Sequence, residues 1–456
     1  MKKVTLSLVA VSMLATTASF AADDLASAFK DGKASGQIRA FYITRDYEKR
    51  NNDAGIPDRS GFALGGKLGY ETAALYGVSA GATFYTTNGV GLKPDSSVKQ
   101  EQSIYGTASS ASSDRPDVTY LGQAYIQANM GKTTAKIGRQ ELNTPLAGMD
   151  DARMLPNLFE AAVVINKDVK DTTLIGAVVT RMAAGTFANV YNAAGSGTPL
   201  SLQSGYGASW KTGEFKTMSK TALGDSVEDR PVYALAAINN SISGLTLQVW
   251  DYYAVDILNA IYAQADYKFK LGLDMVASYQ FWNENGIGEQ LIAKAGLGAV
   301  KGTLNAVKLA VVPVKGANIY GAISKTEKQD GRGTMLNGGM ITPWGGTPGF
   351  VQGTVTRLGY TAGTTAWKVG GSYDIMSNLN AHVSYSQFNV GSQATYQGTI
   401  ASPTVGGHKA GETNFDITYK PGAVKNLELK LRGIYAKDFT PNQDFNEYRV
   451  IANYNF

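Results

Sequence analysis

The stretch Glu447-Tyr448-Arg449-Val450-Ile451-Ala452-Asn453-Tyr454-Asn455-Phe456 decides the fold. Tyr448, Val450, Ala452, Tyr454 and Phe456 share one parity, Arg449, Asn453 and Asn455 share the other, and Ile451 is the exception. A period of two is the rhythm of a strand, whose successive side chains point to opposite faces. One face here is apolar, the other mostly polar, and aromatic rings stand at the end. Closing a membrane β-barrel calls for that pattern: apolar toward lipid, polar toward the lumen, aromatics at the interface. The edge strand of a soluble sandwich would share the alternation, so the assignment rests on whether the pattern recurs.

It recurs along the chain. Phe62, Leu64, Gly66, Leu68 and Tyr70 oppose Lys67 and Glu71, and Ile38, Ala40 and Tyr42 alternate with Gln37 and Arg39. Ile261, Ala263, Ala265 and Tyr267 form another such face, and after a turn expected at Phe269-Lys270 a new series begins at Leu273. Tight connections at Met130-Gly131-Lys132, residues 166–170, Ser241-Ile242-Ser243 and Pro421-Gly422 alternate with long ones at 87–117, 140–159, 182–230, 325–364 and 391–411. That asymmetry is the one between periplasmic turns and extracellular loops. At ~10 residues per strand the chain holds roughly 16 to 20 strands, enough to enclose an aqueous channel.

The start of the chain reads as an export signal. Lys2-Lys3, an apolar run from Val4 to Leu14, and Ser19-Phe20-Ala21 form a charged region, a hydrophobic region and a small-residue cleavage site. The expected organisation is a cleaved signal peptide over residues 1–21 and a single barrel domain over residues 22–456. No later stretch is long and apolar enough for a spanning helix. The absence of cysteine removes thiol nucleophiles, thiolate metal sites and disulfides, and two distant histidines make a poor metal site, so no cofactor is expected. Basic and acidic side chains, 42 against 37, are too balanced to point to nucleic acid.

Four segments resemble the OprD-type family of substrate-selective outer-membrane porins. They are Gly36 to Tyr47; Lys136-Ile137-Gly138-Arg139-Gln140-Glu141-Leu142 followed by Asp150-Asp151-Ala152-Arg153-Met154-Leu155-Pro156-Asn157-Leu158-Phe159-Glu160; Ala366 to Asp374; and the Phe456 terminus. The Asp-Asp-Ala-Arg-Met-Leu-Pro run is the most specific. The resemblance implies an all-β fold, a transmembrane antiparallel barrel of 18 strands whose third loop folds inward to form a constriction, with passive uptake of small solutes. The chain departs from the pattern at Lys368 and Gly370-Gly371, where relatives tend to place arginine, and in Ala381 to Val390, which carries no basic residue.

A loop bent into the channel between Arg139 and Glu160 would carry both signs of charge at close range, and low-dielectric walls focus such charges. Arg139, Glu141, Asp150, Asp151, Arg153 and Glu160 are therefore the expected constriction, with Asp150 or Asp151 paired to Arg153 as the alternative structural role. Strand parity places Arg39, Lys67, Lys136, Lys268, Lys368, Lys430 and Arg432 on the lumen wall. Tyr42, Tyr70, Tyr120, Tyr267, Tyr279, Tyr454 and Phe456 read as an interfacial girdle. Pro343-Trp344-Gly345-Gly346 and Phe350, in the seventh long loop, read as loop packing or a lid. His382 and Ser384 share a strand face as in outer-membrane hydrolases, yet parity points them into the lumen, away from lipid. An adhesin or structural barrel is the remaining alternative. Expected partners are outer-membrane lipid, lipopolysaccharide and small hydrophilic solutes; a homotrimer stays open because lipid-facing and subunit-facing strands are both apolar.

Overall fold

A computed structural model describes residues 21–48, 57–110, 112–191, 207, 209–295, 298–328, 338–391, 407–440 and 443–456. The expected signal peptide lies outside the described residues except for Ala21, which with Ala22 pairs in parallel with Ala74–Leu75.

Eighteen long strands follow one another: β1 Lys33–Glu48, β2 Arg59–Glu71, β3 Val78–Asn88, β4 Val118–Met130, β5 Thr133–Gln140, β6 Leu158–Asn166, β7 Thr172–Ala183, β8 Val232–Asn239 and β9 Leu245–Ala254 form the first half. The second half is β10 Leu258–Leu271, β11 Leu273–Gly286, β12 Lys301–Val312, β13 Ala317–Thr326, β14 Thr365–Met376, β15 Leu379–Val390, β16 His408–Tyr419, β17 Leu427–Thr440 and β18 Gln443–Asn455. Each pairs antiparallel with its neighbours in sequence, and β18 pairs back onto β1 from Gln37↔Asn455 to Glu48↔Asp444. The sheet is thus a closed barrel with no free edge, as hydrocarbon demands of a spanning sheet. At the seam, Gly36 N–H donates to Phe456 O at 2.9 Å and Phe456 N–H to Gly36 O at 3.1 Å.

The turn expected at Phe269-Lys270 falls at Gly272. Both residues continue β10, opposite Met275 and Asp274, and Gly272 supplies the positive φ of 73° that so tight a reversal requires. The long connections lie at the opposite end. They include L2 (89–117), L3 (141–157), L4 (184–231) and L7 (327–364).

The faces follow parity. Ile38, Leu68, Ile137, Leu235, Ile323 and Val383 are exposed on the outside, as a lipid-facing wall is. Tyr42, Tyr70, Tyr267, Tyr279, Tyr454 and Phe456 are exposed there too, but Tyr120 is not part of that set. The β3–β4 register shifts between Thr83 and Phe84, so Tyr120 pairs with inward Tyr85 and stacks on it at 6.0 Å. A bulge inserts one residue and flips the parity beyond it.

Part of the interior is packed. Inward Val163, Trp250, Tyr252 and Trp282 form one buried cluster with Leu146 of L3, Phe187 of L4 and Trp344 of L7. A second cluster joins Phe41, Ile43 and Ile451 to Ile104 of L2 and Leu155 of L3. Ile451 breaks the alternation of its strand because loop side chains, and not water, cover it.

Candidate functional site

L3 is fixed by its charges. Asp150, Asp151 and Arg153 are nearly adjacent in sequence, yet each is bonded to a different element. Asp151 accepts a fork from Arg39 of β1, Nη1–Oδ1 2.6 Å and Nη2–Oδ2 2.9 Å, while Arg39 Nε donates to Asn453 Oδ1 at 2.8 Å. Asp150 accepts from Arg357 Nη2 of L7 at 2.9 and 3.1 Å. Arg153 reaches Glu447 Oε1 of β18 at 3.3 Å and Ser103 Oγ of L2 at 2.9 Å. Both Arg153 and Glu447 are fully buried. The expected alternative, Asp150 or Asp151 paired with Arg153, is therefore replaced by three separate anchors.

Glu447 is the hub of this region. Besides Arg153 it binds Arg45 Nε at 2.8 Å and Arg449 Nε at 2.5 Å, so three guanidinium groups share one carboxylate. Desolvating charges is costly unless they are paired, and here cations outnumber the acid. Glu101 of L2, buried and in the field of Arg45 and Arg59, adds a second negative charge. The Phe187 ring of L4 has both the Arg153 and the Arg357 guanidinium carbons 4.8 Å from its centroid.

L7 is clamped to both L3 and the wall. Gly148 N–H donates to Trp344 O at 3.2 Å, Trp344 Nε1 donates to Met218 O of L4 at 2.8 Å, and buried Trp344 is loop packing. Gly345, with φ of +69°, brings its backbone so near Gly148 that a Cβ would lie 2.3 Å from the Gly148 carbonyl oxygen. Glu412 of β16 accepts N–H donors from Thr354 and from Thr356 (2.6 Å) and Asn414 Nδ2 at 2.7 Å. Successive backbone amides closing on one carboxylate form a nest.

The wall residues divide. Lys67 is bonded to Glu141 of L3 at 2.7 Å, and that carboxylate also accepts from Tyr85 Oη at 2.7 Å. Lys136 stands inward with its Nζ 3.5 Å from the Tyr125 ring centroid. Lys368 donates to Gln352 O of L7 at 2.8 Å, and Arg432 forks onto Asp416 at 2.5 and 2.7 Å. Lys268 is exposed near the short-turn end, and Lys430 is half-buried two residues from Arg432. Sequence reasoning missed Arg45, Lys308, Arg357, Glu412, Glu447 and Arg449. For Arg449 and Glu447 the signal was present, as charges of inward parity in the final strand.

Arg139 and Glu160 are corrected. Arg139 is the register partner of Ala124 and lies two residues beyond exposed Ile137, itself paired with Ala162. Arg139 Nε bonds Glu160 Oε1 at 2.9 Å, and Arg181 Nη1 lies 3.5 Å from Glu160 Oε2. Their register puts all three on the outer face at the long-loop end. Nearness in sequence to L3 does not carry them inside, because each belongs to a strand whose pairing fixes its side.

A closed antiparallel barrel, apolar outside and charged within, with short turns at one end and long loops at the other, defines a bacterial outer-membrane channel protein. The chain belongs to the OprD family of outer membrane porins, whose family model matches residues 27–296. Three solved Pseudomonas aeruginosa structures share the fold: OccK9 (OpdG), at 16% identity and a TM-score of 0.73; OpdK with vanillate, at 15% and 0.71; and OccK8 (OprE), at 16% and 0.70. In each case 94% of this chain and 99% of the other are covered. No curated protein matches the sequence.

Proposed function

We propose that this porin passes small hydrophilic solutes, carboxylate-bearing ones in preference, down their gradients through a channel narrowed by L3 folded into the lumen. The observation that supports this reading is that Asp151 and Arg153 are bonded to wall groups of inward parity, Arg39 of β1 and Glu447 of β18, while Asp150 is bonded to Arg357 of L7. Glu141, Asp150, Asp151 and Arg153 form the constriction in this reading. L3 and L7 reach the wall on which Arg39, Lys67 and Lys368 stand, so in this reading these cations, with Lys430 and Arg432, line the passage beside the loops. Lys136 and Lys268 complete the basic lining.

Anion preference is supported by Lys308 and Lys368, which the register brings to the same inner wall. A cation in a narrow low-dielectric passage raises the local concentration of anions. Purified protein in a planar bilayer tests the reading. It should give stepwise conductance with anion-selective reversal potentials, and loop-independent silence would overturn it. A hydrolase is disfavoured: His382 Nε2 lies 3.3 Å from Tyr320 Oη, its ring is stacked on Tyr320, and Ser384 is buried on the inward face. Lipid turnover unchanged by Ser384→Ala is the expected result.

A further inference from the structure

The outside of the barrel is not the same at its two ends. On β12–β17, the outward positions nearest the short turns are Val311, Ile319, Tyr373, Leu379, Tyr419 and Leu427, with no charge among them. Toward the long loops the outward positions become Lys301, Lys325, Lys409 and Lys437, joined by carboxamides. Successive register pairs run Asn305↔Lys325, Lys325↔Thr365, Thr365↔Asn389 and Asn389↔Lys409. They set Asn305, Lys325, Thr365, Asn389 and Lys409 in one lateral row on the outer surface. Lys325 and Lys409 are three strand spacings apart, about 14 Å, within mutual reach of long side chains on one headgroup. Lys325 has Glu327 at 3.1 Å, whereas Lys409 makes no ion pair among the described residues.

Below this row the wall is hollowed. A groove of about 810 Å³ is lined on the outside by Tyr279, Leu309, Gly321, Ile323, Trp367 and Val369. Gly321 is what opens it. A Cβ there would meet only Lys368 O, at 4.0 Å, so the space over the backbone is empty. Charges on a lipid-facing wall are tolerated only at headgroup depth, which fixes the row at the outer interface and the groove in the hydrocarbon beneath it. An anionic headgroup above an apolar slot is the shape and polarity of a lipid.

We propose that the outer wall of β10–β16 is a binding site for an acylated, phosphate-bearing lipid of the outer leaflet, with an acyl chain in the Gly321 groove and phosphate on Lys325 and Lys409. The row supplies cations and amide donors to the phosphate oxygens, and the groove supplies apolar area to the chain. Cations next to an anionic membrane surface each contribute a few-fold in affinity.

The test is native mass spectrometry of the full barrel in detergent, titrated with a bis-phosphorylated acylated glucosamine disaccharide, its dephosphorylated form and inorganic phosphate. The bis-phosphorylated lipid should be retained more tightly than the dephosphorylated one, and inorganic phosphate should not compete. Lys325→Gln and Lys409→Gln should each weaken the bis-phosphorylated lipid about fivefold and leave the dephosphorylated form unchanged. Gly321→Phe, which fills the groove, should weaken both lipids. Heat-modifiable mobility reports assembly of each variant; should the glutamine variants not assemble, Lys325→Arg, expected to retain the lipid, and Gly321→Phe carry the test. Equal retention by the wild type and all variants overturns the site. So does a second copy of the chain on this wall, seen as an oligomer that Gly321→Phe dissociates without loss of lipid. Channel conductance should be unchanged throughout, which separates this site from the pore.

Discussion

Arg357 and Asp150 stand 207 positions apart and are joined by two hydrogen bonds, from Nη2 to Oδ2 at 2.9 Å and to Oδ1 at 3.1 Å, with both side chains nearly buried. Asp150 also holds a φ of +43°, a left-handed backbone uncommon for a residue with a side chain. The pair therefore ties L7 to L3 and sustains a local conformation that L3 would otherwise relax.

Replacing Arg357 by glutamine should loosen that tie. Asp150 would lose the guanidinium that forks onto its carboxylate, and breaking a desolvated pair costs about 3 kcal/mol. Single-channel recordings should show a larger and noisier open current, and Asp150→Asn combined with Arg357→Gln should be milder than the two separate effects added.

Lys368 and Arg432 should differ in their control of selectivity. Among the described residues Lys368 bonds a carbonyl and no carboxylate, whereas Arg432 neutralises Asp416 through both carboxylate oxygens. Arg432→Gln therefore removes a cation and uncovers an anion together. Reversal potentials in a salt gradient should shift toward cations in both variants, on the order of a few-fold in permeability ratio and further for Arg432→Gln.

Acid should release L2. Burial raises the Glu101 carboxyl, but the Arg45 guanidinium and the Ser103 N–H outweigh that and hold it below its ordinary value. A carboxyl depressed in the folded state stabilises above its unfolded value of about 4.3, and the contribution is lost as pH falls through the folded value. Hydrogen exchange of the amides around Ser97–Lys99 should thus accelerate below about pH 4, and Glu101→Gln should abolish that acid dependence.

Gly36 should tolerate no side chain. A Cβ there would sit 2.5 Å from Cζ of Phe456, so Gly36→Ala must displace the terminal ring. Overpacking of this kind costs about 1–3 kcal/mol. Electrophoresis of unboiled samples should show a lower temperature for loss of the compact barrel band, partly restored by adding Phe456→Ala.

Parity is a local property, and it made the strands legible. The alternation of Leu64, Leu68 and Tyr70 with Lys67 needs no knowledge of partners. The packed interior did need it: Ile451 looked like an error in the pattern until Ile104 and Leu155 were found over it. Asp150, Asp151 and Arg153 were legible as a charged loop, but their partners lie 207, 112 and 294 positions away, and no spacing encodes that. Arg139 and Glu160 show the opposite failure, since their closeness to the loop concealed a register that turns them outward. Tyr120 was misplaced by a single inserted residue.

The seam between β1 and β18 brings Gln37 to Asn455, 418 positions along the chain. Every other adjacent pair of long strands is made from neighbours in sequence and can zip as the chain arrives. Until the final ribbon is delivered, the nascent sheet has two raw margins that hydrocarbon cannot solvate. Pairing of the first ribbon with the last is therefore the step that takes the remaining open backbone donors and acceptors away from hydrocarbon.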